Sequence, residues 1–262
     1  MNPNVTLLAE DENGTPVPYH PQPTASQKYL WGIYTKAIEY IRAYAKGDPI
    51  TIFHLGDPAH GDKYPVELVT TAAGDQIEIA VANWQPLLSL PNVVKVRMAT
   101  STEAHSFGEH STDYLIYNRL KAMYPAIDFR VVHHGIMSID GYEIDYAHHG
   151  PGPGARVWLT GNVARYYLIS LMMGHILRGT RPPDLVLRGH THSPVDEIVT
   201  RGQYRSRIVT VPALCMPGAH AIQVTQSLDC ATVGMHYFSV AGGRLVDDRE
   251  LYQTLDLRTH DN

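Results

Sequence analysis

Asp184-Leu185-Val186-Leu187-Arg188-Gly189-His190-Thr191-His192 runs from a short buried-strand pattern into a glycine and two histidines spaced two apart. The apolar run is entered through Pro182-Pro183 and is too short for a helix, so it reads as a strand. At the end of a strand, where the chain bends into a loop, two such histidines can turn toward one cleft. The glycine lets the backbone turn where a side chain would obstruct. Neutral imidazoles are good ligands for Mn, Fe, Zn or Ni, so His190 and His192 are candidate metal ligands. The plain alternative is a half-exposed strand with two histidines on one face.

Working toward the N-terminus, the same arrangement recurs. A strand over Tyr142–Ala147, expected to follow a hairpin turn at Asp140-Gly141, runs into His148-His149-Gly150. The histidine next to the glycine, His149, is the stronger candidate of that doublet. A strand over Asn92–Met98 leads to Thr102-Glu103-Ala104-His105, and one over Pro49–Leu55 leads to Gly56-Asp57. Glu103 offers an oxygen ligand, His105 an imidazole for acid–base work, and Asp57 a carboxylate able to bridge two cations. Carboxyl ends of strands form the ligand edge of open α/β sheets, so four clusters in order, each after a strand, can converge in space. His133-His134-Gly135 is a similar doublet, read as structural or as lining a substrate cleft. His60 and Asp62 read as solvated loop residues.

Helical patterns separate these strands: one that Ser26 can cap, carrying Leu30, Ile33, Tyr34, Ala37, Ile38, Ile41 and Tyr44, then Ile77–Leu90, Thr112–Met123, and one that Asn162 can cap, running to Arg178. Further strands are expected at Phe129–Val132, Arg207–Val211, Val233–Val240 and Arg244–Val246. Helix–strand alternation followed by a β-rich tail predicts an α/β fold of stacked mixed sheets flanked by helices. Residues 1–25, polar and turn-rich, read as an N-terminal arm, and 26–262 as a single domain.

Bulk properties narrow the partners. With 44% apolar and 18% charged residues in a chain of 262, a folded core is expected rather than disorder. A formal net charge of -5 lacks the broad basic field of a duplex DNA binder. Cys215 and Cys230 are too few for a disulfide framework and read as small buried hydrophobes in a reducing compartment. Met1–Glu10 has neither the basic start nor the apolar run of a signal peptide, and no segment is long enough to span a bilayer. A cytoplasmic, soluble protein without a membrane partner is the expectation. Nine of the fifteen histidines fall between His105 and His192, the gathering that metal sites show.

The ordered set Gly56-Asp57, Glu103-x-His105, His149-Gly150 and Gly189-His190-Thr191-His192 resembles the calcineurin-like metallophosphoesterase family from about residue 50 to 212. The resemblance implies an αββα sandwich and one or two divalent ions, Mn first, with Fe, Zn or Ni as alternatives. It implies hydrolysis of a phosphodiester or phosphomonoester by a metal-activated water, with nucleotides or nucleic acid among the candidate substrates. By the same resemblance, Asp57 bridges two metals, His149 and His190 bind one, and His192 binds the other. Ser101-Thr102-Glu103-Ala104-His105 looks like a Gly-Thr-x-Ala-His variant of viral and metagenomic members. It makes His105 the catalytic histidine, with Glu103 or Thr102 in place of the family's asparagine ligand. The family's opening Asp-x-His occurs nowhere in the chain, so Met1 reads as an internal methionine and the His192 metal as short of ligands unless another residue, such as His20, completes it. The alternative is a degenerate, non-catalytic member that binds metal, nucleotide or a protein partner.

Overall fold

The computed structural model describes residues 1–63, 68–108, 111–152, 159–218 and 229–258. The fold is α/β, with several sheets flanked by helices, and the chain divides into two compact units, Met1–Val132 and His133–Asn262.

The first unit holds β1 (Leu7–Glu10), β2 (Pro16–Tyr19), α1 (Ala25–Ala45), β3 (Ile50–His54), α2 (Ala73–Leu88), β4 (Val93–Ala99), α3 (Ser111–Met123) and β5 (Asp128–Val132). Helical crossovers leave β3, β4 and β5 parallel and in sequential order. Where the sequence suggests an arm over 1–25, β1 and β2 form an antiparallel hairpin, and Val5 and Leu7 are buried with Ala82 of α2. The cap of α1 is Thr24 rather than Ser26. Its hydroxyl accepts the Gln27 N–H at 3.2 Å while the Gln27 side chain accepts the Thr24 N–H at 2.9 Å. α2 starts four residues before the expected Ile77, because Gln76 is buried there and its amide makes two 2.9 Å hydrogen bonds to the backbone of Gly61. The loop after β3 is thereby tied to α2.

The second unit holds β6 (His134–Ile139), β7 (Tyr142–Ala147), α4 (Asn162–Leu177), β8 (Leu185–Arg188), β9 (Val195–Arg201), β10 (Tyr204–Thr210), β11 (Cys230–Ala241) and β12 (Arg244–Asp256). Its main sheet is mixed, in the order β6-β7-β8-β10-β9, with β7, β8 and β10 parallel and β6 and β9 antiparallel at the edges. α4 covers one face: Ala164, Leu168 and Met172 pack on Val186, Val195, Val199 and Ile208. From the other face Arg207 of β10 reaches Asp248 of β12, which pairs with β11 in a long ribbon. Asn162 is the first residue of α4, not its cap; Gly161 takes that position at φ 88°. That left-handed backbone favours glycine, and a Cβ there would also press on the Glu197 side chain of β9. Among the described residues, no helix is long and apolar enough to cross a membrane.

The α4 face makes the packing testable. Leu168 is fully buried against β8, β9 and β10. Leu168→Ala is expected to lower unfolding free energy by roughly 2–5 kcal/mol in a denaturant titration. A loss under about 1 kcal/mol would mean that α4 does not pack on this sheet.

Candidate metal centre and acid–base residues

In both units the nominated side chains sit where parallel neighbours end. In the first, β3 runs into Leu55-Gly56-Asp57 and its neighbour β4 into Thr100–His105. The Asp57 N–H donates to Ser101 Oγ at 2.8 Å, and Ser101 Oγ donates in turn to Asp113 Oδ1 at 2.5 Å. Asp113, on α3 and fully buried, also accepts the Ser101 N–H at 2.7 Å. The Thr102 N–H donates to Asp57 Oδ1 at 3.0 Å. The carboxylate is thus oriented by the loop of the neighbouring strand, and that loop is held by a buried carboxylate behind it.

His105 lies on a single 3-10 turn, Glu103–His105. Its Nδ1 is 2.8 Å from the His60 carbonyl oxygen, which can only accept, so Nδ1 carries a proton. The other nitrogen, Nε2, is then the one that gains and loses a proton, and it stands 3.8 Å from Asp57 Oδ2. Gly61 permits this approach: at φ 79°, its Cβ would lie 2.6 Å from the Ala104 carbonyl. Glu103 is exposed, and its carboxylate has no hydrogen-bond or ion-pair partner among the described residues. Thr102 Oγ1 is buried and equally without a hydrogen-bond partner. His20 is taken up locally, its Nδ1 3.0 Å from the Val5 carbonyl.

In the second unit, β7 runs into His148-His149-Gly150 and its parallel neighbour β8 into Gly189-His190. The Gly189 N–H donates to the His148 carbonyl at 3.0 Å, which seats one loop on the other. Three imidazoles gather there, with ring centres 5.0 Å apart for His148–His149 and for His148–His190, and 4.5 Å for His149–His190. His148 is the buried member, and its Nε2 stands 3.1 Å from His190 Nδ1; His149 is exposed beside them. Two nitrogens each roughly 2.1 Å from one ion are about 3.0 Å apart at a right angle and about 3.4 Å at the tetrahedral angle. The observed spacing falls between, so this pair fits a shared divalent cation.

Behind the imidazoles lies a feature that the sequence does not announce. Arg188 has no exposed surface and pairs with buried Asp145 at 2.7 Å, while a guanidinium N–H donates to the Tyr167 hydroxyl at 3.0 Å. His134 Nε2 reaches both Asp145 oxygens at 2.9 Å, so the earlier histidine doublet contributes a structural contact. A Cβ on Gly150 would lie 2.7 Å from both Cβ and Cγ of Arg188. The glycine after the doublet therefore makes room for the arginine stem. Both cysteines, read as buried from the sequence, are exposed, and Cys215 Sγ stands 3.7 Å from His192 Nδ1.

Among the described residues, five other than glycine have positive φ: Lys46, Asp57, Asp140, His190 and His192. Lys46 ends α1 and Asp140 turns the β6–β7 hairpin. The other three are nominated ligands, and strained backbone of this kind gathers at functional sites.

Comparisons with known proteins add little to these observations. No protein-family model matches the chain, and the curated proteins contain no sequence similar to it. Among solved structures, the chain is similar to the sulfate thiohydrolase SoxB of Thermus thermophilus, in complex with glycerol. Identity is 12% and the TM-score 0.39, over 86% of this chain and 42% of that one. The chain thus spans less than half the length of SoxB. So loose a likeness says nothing of activity, and what the site can do is read from its own side chains.

The glycine contact carries a prediction. Gly150→Ala is expected to cost roughly 1–3 kcal/mol through overpacking on Arg188. Gly152→Ala, with nothing within 4 Å of the added carbon, should lie within about 0.5 kcal/mol of the parent in the same thermal or denaturant unfolding. Equal effects would mean that Gly150 does not pack on the arginine.

Proposed function

We propose that this chain is a metal-dependent hydrolase of phosphoester bonds. Its proposed ligands are Asp57, Glu103 or Thr102, the His148-His149 doublet, His190 and His192, and His105 donates a proton to the leaving oxygen. The observation that carries the reading is the His148–His190 pair, two ring nitrogens 3.1 Å apart at the ends of parallel strands. The order of the motifs along the chain supports the substrate class. Divalent cations held by these residues would supply Lewis acidity toward a phosphoryl oxygen and lower the pKa of a water.

The protein's own share is orientation and proton movement. Ser101 holds the Asp57 backbone by accepting its N–H, and the Thr102 N–H orients the Asp57 carboxylate. The His60 carbonyl keeps the Nδ1 proton of His105 in place, so a proton given to a departing alkoxide leaves from Nε2. Neutral His105 remains, with its ring still anchored. A bound nucleotide or a nucleic-acid end would present a leaving oxygen that needs this proton.

The test is turnover of a chromogenic phosphodiester and of a monoester with added Mn²⁺, and with Zn²⁺, Ni²⁺ or Fe²⁺ in turn. Activity should vanish with chelator and return with metal. Metal binding without turnover of any phosphoester would support a non-catalytic binding protein instead. His105→Ala should leave metal content intact and lower kcat by roughly 10²–10⁴-fold on an alkyl leaving group. With nitrophenolate, which departs with little protonation, the loss should be much smaller. Equal losses on both substrates would remove the acid role, and lost metal would make His105 a ligand.

A further inference from the structure

His192 is the nominated ligand with the fewest nominated companions, and Cys215, whose sulfur stands beside it, has no assigned role. Strand pairing explains why the two meet. β9 and β10 are antiparallel with Val195 opposite Thr210, so the residues before β9 lie beside those after β10. His192 falls in the first set and Cys215 in the second. The segment carrying Cys215 is held by backbone pairing: the Val211 N–H donates to the Arg188 carbonyl at 2.9 Å, and Ala213 bridges Val233 of β11.

We propose that Cys215 and His192 are a thiolate–imidazole chelate for a borderline-soft divalent cation of the zinc class. The inference rests on the metal-dependent reading above and adds a ligand to it. A sulfur at roughly 2.3 Å and a nitrogen at roughly 2.1 Å from one tetrahedral ion are about 3.6 Å apart. Cys215 Sγ and His192 Nδ1 stand at 3.7 Å. Without an ion the same contact is an S–H···N hydrogen bond, which holds the pair in chelating position. Binding releases the thiol proton to solvent and places the sulfur on the cation as thiolate. A thiolate ligand turns preference away from Mn²⁺ toward Zn²⁺ and Co²⁺.

The experiment is a Co²⁺ titration of the full chain, kept reduced with a phosphine and followed by absorption. Thiolate ligation produces an intense near-ultraviolet charge-transfer band, and tetrahedral coordination strengthens the visible bands. The expected result is a near-ultraviolet band that saturates with one equivalent of Co²⁺. It should disappear in Cys215→Ala, weaken in His192→Ala and persist in Cys230→Ser. Zn²⁺ should displace the cobalt with at least ten times the efficacy of Mn²⁺. Because Cys215 is exposed, Cys215→Ala should unfold at the parent's midpoint, which separates ligand loss from misfolding. Cobalt bound with visible bands but no charge-transfer band would overturn the Cys215 assignment and leave the hydrolase reading standing. A band lost in Cys215→Ala, in a chain that hydrolyses no phosphoester, would retain the chelate and remove the hydrolase. No cobalt bound would overturn both.

Discussion

Arg188 is a guanidinium with no exposed surface, and removing one partner of such a buried pair costs several kcal/mol. Its partner, Asp145, lies on the adjacent parallel strand, where Ala147 stands opposite Arg188. Pairing the two charges therefore sets the register of β7 on β8. A slip of one residue would turn Asp145 to the other face of the sheet and leave both charges uncompensated. That register also decides where the strands release their chains, hence where His148 and His190 emerge. Tyr167 of α4 and Gly150 complete the enclosure of the arginine, so helix, strand ends and histidine loops answer to one buried side chain.

The first unit holds its strand-end loops through a buried carboxylate instead. Asp113 receives two hydrogen bonds from Ser101, and Ser101 in turn supports Asp57. A buried carboxylate thus holds the Asp57 backbone N–H through a serine, and these contacts hold the left-handed backbone at Asp57. Left-handed residues other than glycine cost about 1–2 kcal/mol each. The stability of the surrounding sheet offsets that cost.

The sequence was legible where local chemistry decides. β3, β4, β5, β7 and β8 carry enough apolar and β-branched residues between turn signals to read as strands, and the nominated residues follow the ends of β3, β4, β7 and β8. β9 escaped because Asp196 and Glu197 interrupt its alternation at a sheet edge. Most of β12 escaped because Asp247-Asp248-Arg249-Glu250 resembles a loop. The partners that tune the site were not legible at all. Ser101 and Asp113 are twelve residues apart, and His105 and the His60 carbonyl forty-five, so no short motif contains either pair. Nor does spacing tell which of His148 and His149 turns inward. The neighbouring glycine suggested His149, but that glycine serves Arg188, and His148 is the buried one.

Among the described residues, β11 and β12 form a two-stranded ribbon, twelve and thirteen residues long. Long two-stranded ribbons leave backbone donors and acceptors open to any passing strand, which makes them seeds for aggregation. The run Asp247-Asp248-Arg249-Glu250 that hid β12 in the sequence works against that outcome. A second ribbon docking in register would set like charges against one another. Arg249 is tied to Asp247, and Asp248 to Arg207, so the charges are also fixed in direction. The same residues that made the strand hard to recognise oppose the docking of a second ribbon.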